Sequence, residues 1–526
     1  MTIQGVHLIA GEDVPGEGSL QAANPSTGDR LEPVFPEATS ENIDAAVRSA
    51  LQVHVDRAAA DPAKRAQLLE AAADRIEAMG SEITERGMQE TGLPEARFEG
   101  ERGRTCQQLR MFASVAREGL FQNPFIETAL PEREPVPRPD LRTRMHALGP
   151  VAVFGASNFP LAFGVAGGDT ASAWAAGCPV IAKSHPAHPG VCELVGRALQ
   201  DAIRDVELPA GMFSLLQGES HDVGIGLVQH PEIRAVAFTG SRAGGISLWR
   251  LAAEREVPVP VFAEMGSTNP VFISPAAMEQ RHQQIAEGLA GSVRLGVGQF
   301  CTSPGVVVFL ADDHAATFKE ELSRSLCGDP VGTMLHQGIS SGYLDAVEQL
   351  ATRSGVQVIA RGPSTESVCG VGSSLFHVDF DGFIADPAMQ EEVFGPATLL
   401  VECSSFDQIK QVASALEGQL TATIHATEQE IELLVPLIQL LEDRVGRLVF
   451  NGFPTGVEVG ESMQHGGPWP ATTDSRWTSV GCAAIERFLR PVCWQGFPEA
   501  ALPVELRSDA SGMRRVDGVW HQLGNS

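Results

Sequence analysis

Three side chains of this 526-residue chain have the types and settings that carbonyl and acyl chemistry needs. Cys301 lies in Gly296-Val-Gly-Gln-Phe-Cys-Thr-Ser303, a glycine-flanked segment expected to leave the sulfur near a loop or helix start, where a thiolate nucleophile is stabilised. Glu264 ends an apolar run in Phe262-Ala-Glu-Met-Gly-Ser-Thr-Asn269, and partial burial there would raise its pKa toward that of a useful base. Asn158, in Gly155-Ala-Ser-Asn-Phe-Pro160, offers an amide donor on a turn after a strand, suited to an oxyanion. Each also has a plain structural reading: a small buried thiol, a salt-bridged acid at a strand end, and ordinary turn chemistry.

A fourth feature points to a ligand rather than to a reaction. Phe238-Thr-Gly-Ser-Arg-Ala-Gly-Gly245 stands between the strand-like RAVAF and the helical ISLWRLAAE. Glycine at such a turn lets a ligand approach the backbone, and the N–H groups at a helix start favour a pyrophosphate. A tight turn without a ligand fits the same letters. The motifs GxGxxG, GxSxG and HExxH are absent. His185 and His188 are three residues apart in SHPAHP, but the prolines forbid the regular helix that would aim both at one metal. The nine cysteines form no CxxC pair and suit reduced thiols, so no metal site is expected.

The elements that must position these residues are legible as pattern. Ser40 is expected to cap a helix with Ile43, Val47, Ala50 and Leu51 on one face, and Asp61-Pro62 opens another, which buries Leu68, Leu69, Ala72, Ile76 and Met79. A third closes near Thr91-Gly92, and residues 94–119 read as a fourth. Residues 123–149 are rich in Pro and Arg and read as an extended, exposed arm. From 150 to 262 apolar runs (VAVFG, PVIAK, MFSLLQG, RAVAFTG, VPVPVFAE) alternate with small-residue helices, the rhythm of parallel strands with crossovers. A second alternating block spans about 268–465, and the tail from about 476 is mixed, with a helical CAAIERFLRPV and a polar end.

Composition excludes several classes. Lys plus Arg number 38 against 66 Asp plus Glu, a formal charge of −28, which argues against nucleic acid as a partner. With 43% apolar and 20% charged residues the chain is globular and not disordered. The uncharged stretch from Ala147 to Gly168 has the length of a membrane span, but Pro150, Gly155, Asn158, Pro160, Gly164, Gly167 and Gly168 interrupt it. No membrane association is expected. The opening MTIQGVHLIAGEDV lacks the basic start of a secretory signal, so a cytoplasmic address is the expectation.

Taken together, SNFP at 157–160, PVIAK at 179–183, FTGS at 238–241, AEMGSTNP at 263–270, GQFC at 298–301 and EEVFGP at 391–396 resemble, in order and spacing, the aldehyde dehydrogenase superfamily. The stretch GASNFPLAFGVAGGDTASAWAAGCPV and the tail QHGGPWPATTD are more similar to the branch with α-ketoglutarate semialdehyde (2,5-dioxopentanoate) dehydrogenases and NADP-dependent fatty aldehyde dehydrogenases. The resemblance implies an α/β fold with a Rossmann-like cofactor domain (1–125 and 149–262), an α/β catalytic domain (263–475), a small β oligomerisation arm (126–148 and 484–498) and a C-terminal tail (499–526). It implies Cys301 as nucleophile, Asn158 as oxyanion donor and Glu264 as base for thioester hydrolysis. Lys183 would bind the adenosine ribose, Gly240, Ser241 and Gly245 would approach the cofactor phosphates, and Glu392 with Phe394 would position the nicotinamide ribose and ring. Pro186 replaces a glutamate that often binds both ribose hydroxyls, so NADP is favoured, with NAD possible. The expected substrate is a small aldehyde, first 2,5-dioxopentanoate, alternatively a long-chain or aromatic aldehyde. Arg281 and Arg294 lie near enough in sequence to the catalytic segment to allow carboxylate recognition. A CoA-acylating enzyme would not need Glu264, and a non-catalytic scaffold would not need the three side chains together. An arm of this kind implies a homodimer or homotetramer.

Overall fold

The computed structural model describes residues 3–523. The alternating pattern produces two seven-stranded sheets, each with helices on both faces. In the first, strands Phe213–Leu216, Val180–Lys183, Val151–Phe154, Ala235–Thr239 and Val261–Glu264 lie side by side in that order and all parallel. Burial on both faces explains their continuous apolar character. Val151 and Val153 point into the core shared with helices Pro62–Ala78, Glu95–Glu118 and Pro189–Asp205, while Ala152 and Phe154 point into the core under Ser40–Val55 and His221–Gln229. The second sheet runs Gln357–Arg361, Ser374–Asp379, Ala397–Cys403, Val306–Leu310, Val271–Ile273, Gln419–His425 and Val445–Phe450, parallel except for its first strand. Among the described residues no helix is long and apolar enough to cross a membrane.

Several local expectations need correction. Ahead of the first helix, His7–Ile9 and Glu12–Val14 extend the first sheet, His7–Ile9 pairing antiparallel with Phe213–Leu216. Thr39, not Ser40, caps the first long helix, exchanging bonds with Asn42 in a capping box. Asp61 caps the next, with Pro62 at its first position. The chain also returns to the first domain after the second: Cys482, Ala484, Ile485 and Phe488 complete the core beneath Trp174.

The tail is more structured than its polarity suggested. Gly512–Val516 and Val519–Leu523 form a hairpin that joins Phe125–Glu127, Leu141–Ala147 and Leu489–Gln495 in a five-stranded arm sheet. Its two-residue turn, Asp517-Gly518, has both φ angles positive (45° and 88°), the geometry that an Asp-Gly pair favours between strands. That dipeptide was the available signal. The last three residues of the expected tail, and the first two of the chain, lie outside the described residues.

Candidate active site

Strand order in the first sheet reverses beside Val151–Phe154: the chain builds outward to Phe213–Leu216, then crosses back to place Ala235–Thr239 on the other side. At such a switch point the loops leaving the carboxyl ends of neighbouring strands diverge and open a crevice. Asn158 follows one of these strands, Lys183 ends the next, Gly240 and Ser241 follow the third, and Glu264 ends the edge strand. One end of the sheet therefore collects five of the predicted residues.

The sulfur comes from the other domain. Gly296, Val297 and Gly298 all have left-handed backbone (φ 57°, 60° and 69°), a conformation that costs a β-branched residue such as Val297 and bends the chain sharply before Cys301. A Cβ on Gly298 would stand 2.2 Å from the carbonyl carbon of Gly395, so the GQFC and EEVFGP segments touch through bare backbone. Asn269 fixes the far side. Its buried Nδ2 donates to the carbonyls of Cys301 and Ser303, each at 2.9 Å, while its Oδ1 accepts from Thr421 Oγ1 at 3.0 Å.

Glu264 is 4% exposed, and more deeply buried than expected. Its strand pairs with the segment around Thr472, which carries His465 and Ser479 alongside. His465 Nε2 stands 3.1 Å from Glu264 Oε1, though Oε1 accepts no well-aligned hydrogen bond. The same nitrogen is 3.5 Å from Cys301 Sγ. Ser479 Oγ donates to Glu264 Oε2, and the His465 backbone N–H is held by Thr478 Oγ1 at 2.8 Å. Ligand atoms of Glu264, Cys301 and His465 all lie within 4.8 Å of one another, the one such group of three among the described residues.

The electrostatics reverse two expectations. Burial alone would raise the Glu264 pKa, but the nearby His465 imidazole and the hydrogen bond from Ser479 outweigh it and hold the carboxyl below its usual value. Cys301 is the opposite of a stabilised thiolate. Burial, then the negative charges of Glu264 and Glu392, push its pKa well above 9, with Arg104 opposing. The resting sulfur is a thiol facing carboxylates.

Asn158 Nδ2 donates to the carbonyl of Gln299 at 2.9 Å, two residues before Cys301. A carboxamide has two N–H groups, so one remains for an oxyanion beside the sulfur. Glu392 is half-buried, with one oxygen 3.4 Å from the Ser267 N–H and the other where a Cβ on Gly266 would be; burial pushes its pKa up to about 7. Glu392 and Phe394 line a cavity together with Ser267, Gly298 and Phe300.

The remaining cofactor candidates differ in setting. Ser241 caps the exposed start of helix Arg242–Ala253, accepting from Gly244 N at 3.2 Å, and leaves that helix terminus facing the crevice. Gly240 packs under the Phe238 ring. Gly245 is buried against Met265 and Ala263, where a side chain would collide, so its bareness allows close packing of helix on strand. Lys183 Nζ donates to the Gly218 carbonyl at 2.6 Å, beside Glu37. An exposed helix start, a lysine and a carboxylate thus stand at this side of the two sheets. His185 and His188 stack on each other at 5.0 Å.

His465 and Ser479 carried no signal in the sequence beyond the tail motif that contains the first. Arg281 and Arg294, which sequence proximity allowed as carboxylate partners, are taken by backbone and amide oxygens: Arg281 by Ala426 and Asn451, Arg294 by Ser325, Leu326 and Pro330.

Residues 14–469 match the model of the aldehyde dehydrogenase family, and the chain belongs to that family, whose members oxidise aldehydes with NAD or NADP. The chain is similar to "Alpha-ketoglutaric semialdehyde dehydrogenase 2" of Azospirillum brasilense, with 49% identity over 96% of this chain and 97% of that one. It is also similar to "Alpha-ketoglutaric semialdehyde dehydrogenase" of Acinetobacter baylyi, with 43% identity over 93% of each. Among solved structures the aldehyde dehydrogenase KauB of Pseudomonas aeruginosa has the same fold, at a TM-score of 0.79 and 20% identity over 94% of this chain and 97% of that one. The α/β architecture and the family resemblance read from the six motifs agree with these matches.

Proposed function

We propose that the chain oxidises 2,5-dioxopentanoate to 2-oxoglutarate through a thioester on Cys301. The observation that carries the reading is the meeting of Cys301 with the buried His465 and Glu264 beside the Asn158 amide, in a chain 49% identical to a protein named for that semialdehyde. Sulfur attacks the aldehyde carbon as the thiol proton passes to His465 Nε2; a C–S bond forms and the carbonyl oxygen becomes an oxyanion. The free Asn158 N–H and the Cys301 backbone N–H hold that charge. A nicotinamide cofactor held beside Cys301 by Glu392 and Phe394 would supply the acceptor for the aldehyde hydrogen and its electron pair. The thioester left on Cys301 is cleaved when Glu264 takes a proton from water, whose oxygen adds to the acyl carbon and expels the sulfur. The low pKa of Glu264 keeps it ionised for this role at neutral pH. Balanced, one aldehyde and one water give one carboxylate, one hydride and two protons.

The cofactor would be held by Lys183, the amides after Gly240 and Ser241, Glu392 and Phe394. NADP is favoured because Pro186 removes one carboxylate from beside the ribose, and the charge left there is that of Glu37, which weakens the preference. A homodimer or homotetramer is supported by two strands at sheet edges, Leu489–Gln495 of the arm and Val445–Phe450, where Leu448 and Phe450 are exposed. A monomer in light scattering at micromolar concentration would contradict it.

The apolar wall of Phe159, Phe163 and Phe300 beside the sulfur favours a second substrate reading, a long-chain or aromatic aldehyde. An assay with 2,5-dioxopentanoate, with and without CoA, tests the whole. Formation of 2-oxoglutarate and reduced cofactor in equal amounts without CoA is expected, and Cys301→Ala abolishes both. A strict CoA requirement, turnover in Cys301→Ala, or better use of long-chain aldehydes overturns the reading.

A further inference from the structure

We propose that Arg104 binds the carboxylate of the substrate and so sets its specificity, an inference that rests on the 2,5-dioxopentanoate reading. Helix Glu95–Glu118 brings Arg97, Glu101 and Arg104 to one face by their spacing of four and three residues. The first two are spent on structure. Arg97 pairs with Glu101 at 3.4 Å, donates to the Asn158 carbonyl at 3.2 Å and lies 4.2 Å above the Phe159 ring. Glu101 Oε1 accepts the backbone N–H groups of Leu161 (2.8 Å) and Ala162 (2.9 Å).

Arg104 has no such occupation. Its Nε and Nη2 are sealed from solvent and have no protein hydrogen-bond partner, a state that buried donors leave by taking up a water or a ligand. The guanidinium stands 5.8 Å from the centre of the Phe163 ring, and that ring stands 6.2 Å from the His465 imidazole, which touches Cys301. The cation is close enough that a charge on Cys301 would be felt at Arg104. The Phe163 ring beside it packs with Phe159, Phe300 and Val480, an apolar cluster that also holds the residue before Cys301. A sulfur and a guanidinium with two unpartnered nitrogens, set on either side of the Phe163 ring, suit a short molecule with an aldehyde at one end and a carboxylate at the other. The carbons of 2,5-dioxopentanoate span four bonds of about 1.5 Å, on the order of 5 Å end to end. Arg447, the other cation near the sulfur, already donates to the carbonyls of Gly456 and Pro454.

The test compares 2,5-dioxopentanoate, 5-oxopentanoate and pentanal, which share a five-carbon chain and differ in their charged and keto groups. In Arg104→Met the KM for both carboxylates rises by about 30-fold or more, the loss of a buried charge-assisted pair, while kcat/KM for pentanal stays within about 3-fold. Arg104→Lys recovers part of the loss. In the unaltered protein pentanoate competes with the aldehyde and 1-pentanol does not, a readout that needs no variant to fold. If the unaltered enzyme uses pentanal as well as 2,5-dioxopentanoate, the functional reading fails. If it prefers the carboxylates but Arg104→Met keeps that preference, loses all three substrates alike, or pentanoate does not compete, the assignment of Arg104 alone is overturned.

Discussion

His465 stands between Cys301 and Glu264, with Nε2 3.5 Å from the sulfur and 3.1 Å from the carboxylate, and both His465 and Glu264 are almost wholly out of water. The carboxylate that is proposed to finish the turnover is thus also a charge that holds the sulfur protonated at rest. A thiol in this setting resists alkylation and oxidation until its proton leaves.

Removing that charge separates the two effects. Glu264→Gln lowers the Cys301 pKa by removing that charge, and iodoacetamide at pH 8 alkylates Cys301 about 3- to 30-fold faster than in the unaltered enzyme. Steady-state aldehyde oxidation in the same variant falls by about 100-fold or more. His465→Gln slows the oxidation without this gain in alkylation. Inactivation rates, with the labelled peptide found by mass spectrometry, decide it: an unchanged alkylation rate in Glu264→Gln would show that the carboxylate does not hold the thiol.

Gly298→Ala tests the contact between the two motif segments. The new methyl would fall 2.2 Å from Gly395 C and 2.3 Å from its oxygen, with φ at 69°, so backbone rather than a flexible side chain must move. The expected outcome is a kcat/KM lower by about 100-fold, the result of shifting the sulfur by a fraction of an ångström to one ångström, with a lowered melting temperature. Gly291→Ala, where a methyl meets nothing within 4 Å, is the control and keeps both near their original values.

What could be read in the sequence followed physical regularity. Strands such as Val151–Phe154 are buried on both faces, so their apolar runs are continuous and their ends mark where Asn158 and Glu264 sit. His465 gave no such signal, because it lies on an irregular glycine- and proline-rich segment and reaches Cys301 only through the pairing of Thr472 with Glu264 and the bond to Thr478. The pKa directions of Cys301 and Glu264 were misread for the same reason: each depends on neighbours from distant parts of the chain. Arg104 shows the limit most clearly. Its sequence setting is that of a solvated helix residue, whereas Arg281 and Arg294 lie closer in sequence to Cys301 and are bound to carbonyls.

Glu392 makes stability depend on pH in a stated direction. Its folded pKa is raised to about 7 from 4.5, so its contribution is full below pH 4.5, where both states are protonated, and is lost as pH rises through 7 and the buried side chain must ionise. Glu392→Gln, always neutral, escapes that loss. At pH 8 the variant gains about 1–2 kcal/mol, discounted for partial exposure, and melts about 1–3 °C higher than the unaltered protein; at pH 4.5 the two melt together. Equal differences at both pH values would show that Glu392 ionises freely in the fold.

Glu37 bears on the choice between the two nicotinamide cofactors. It accepts from the N–H groups of Glu219 (2.8 Å) and Ser220 (3.2 Å) and from Ser220 Oγ, and it lies against Gly218, whose carbonyl receives Lys183. Burial raises its pKa, but these bonds and the Lys183 charge outweigh burial and keep it ionised. If Lys183 binds the adenosine ribose, a 2′-phosphate there meets a fixed negative charge that the free 2′-hydroxyl of NAD does not. Neutralising it in Glu37→Gln therefore raises the ratio of kcat/KM for NADP over NAD by about tenfold, the effect of about 1.4 kcal/mol from one charge near the surface. The shift shrinks as salt is added, because screening weakens the repulsion in the unaltered enzyme. A ratio that does not move at low salt would place the ribose away from Lys183 and remove that residue from the cofactor site.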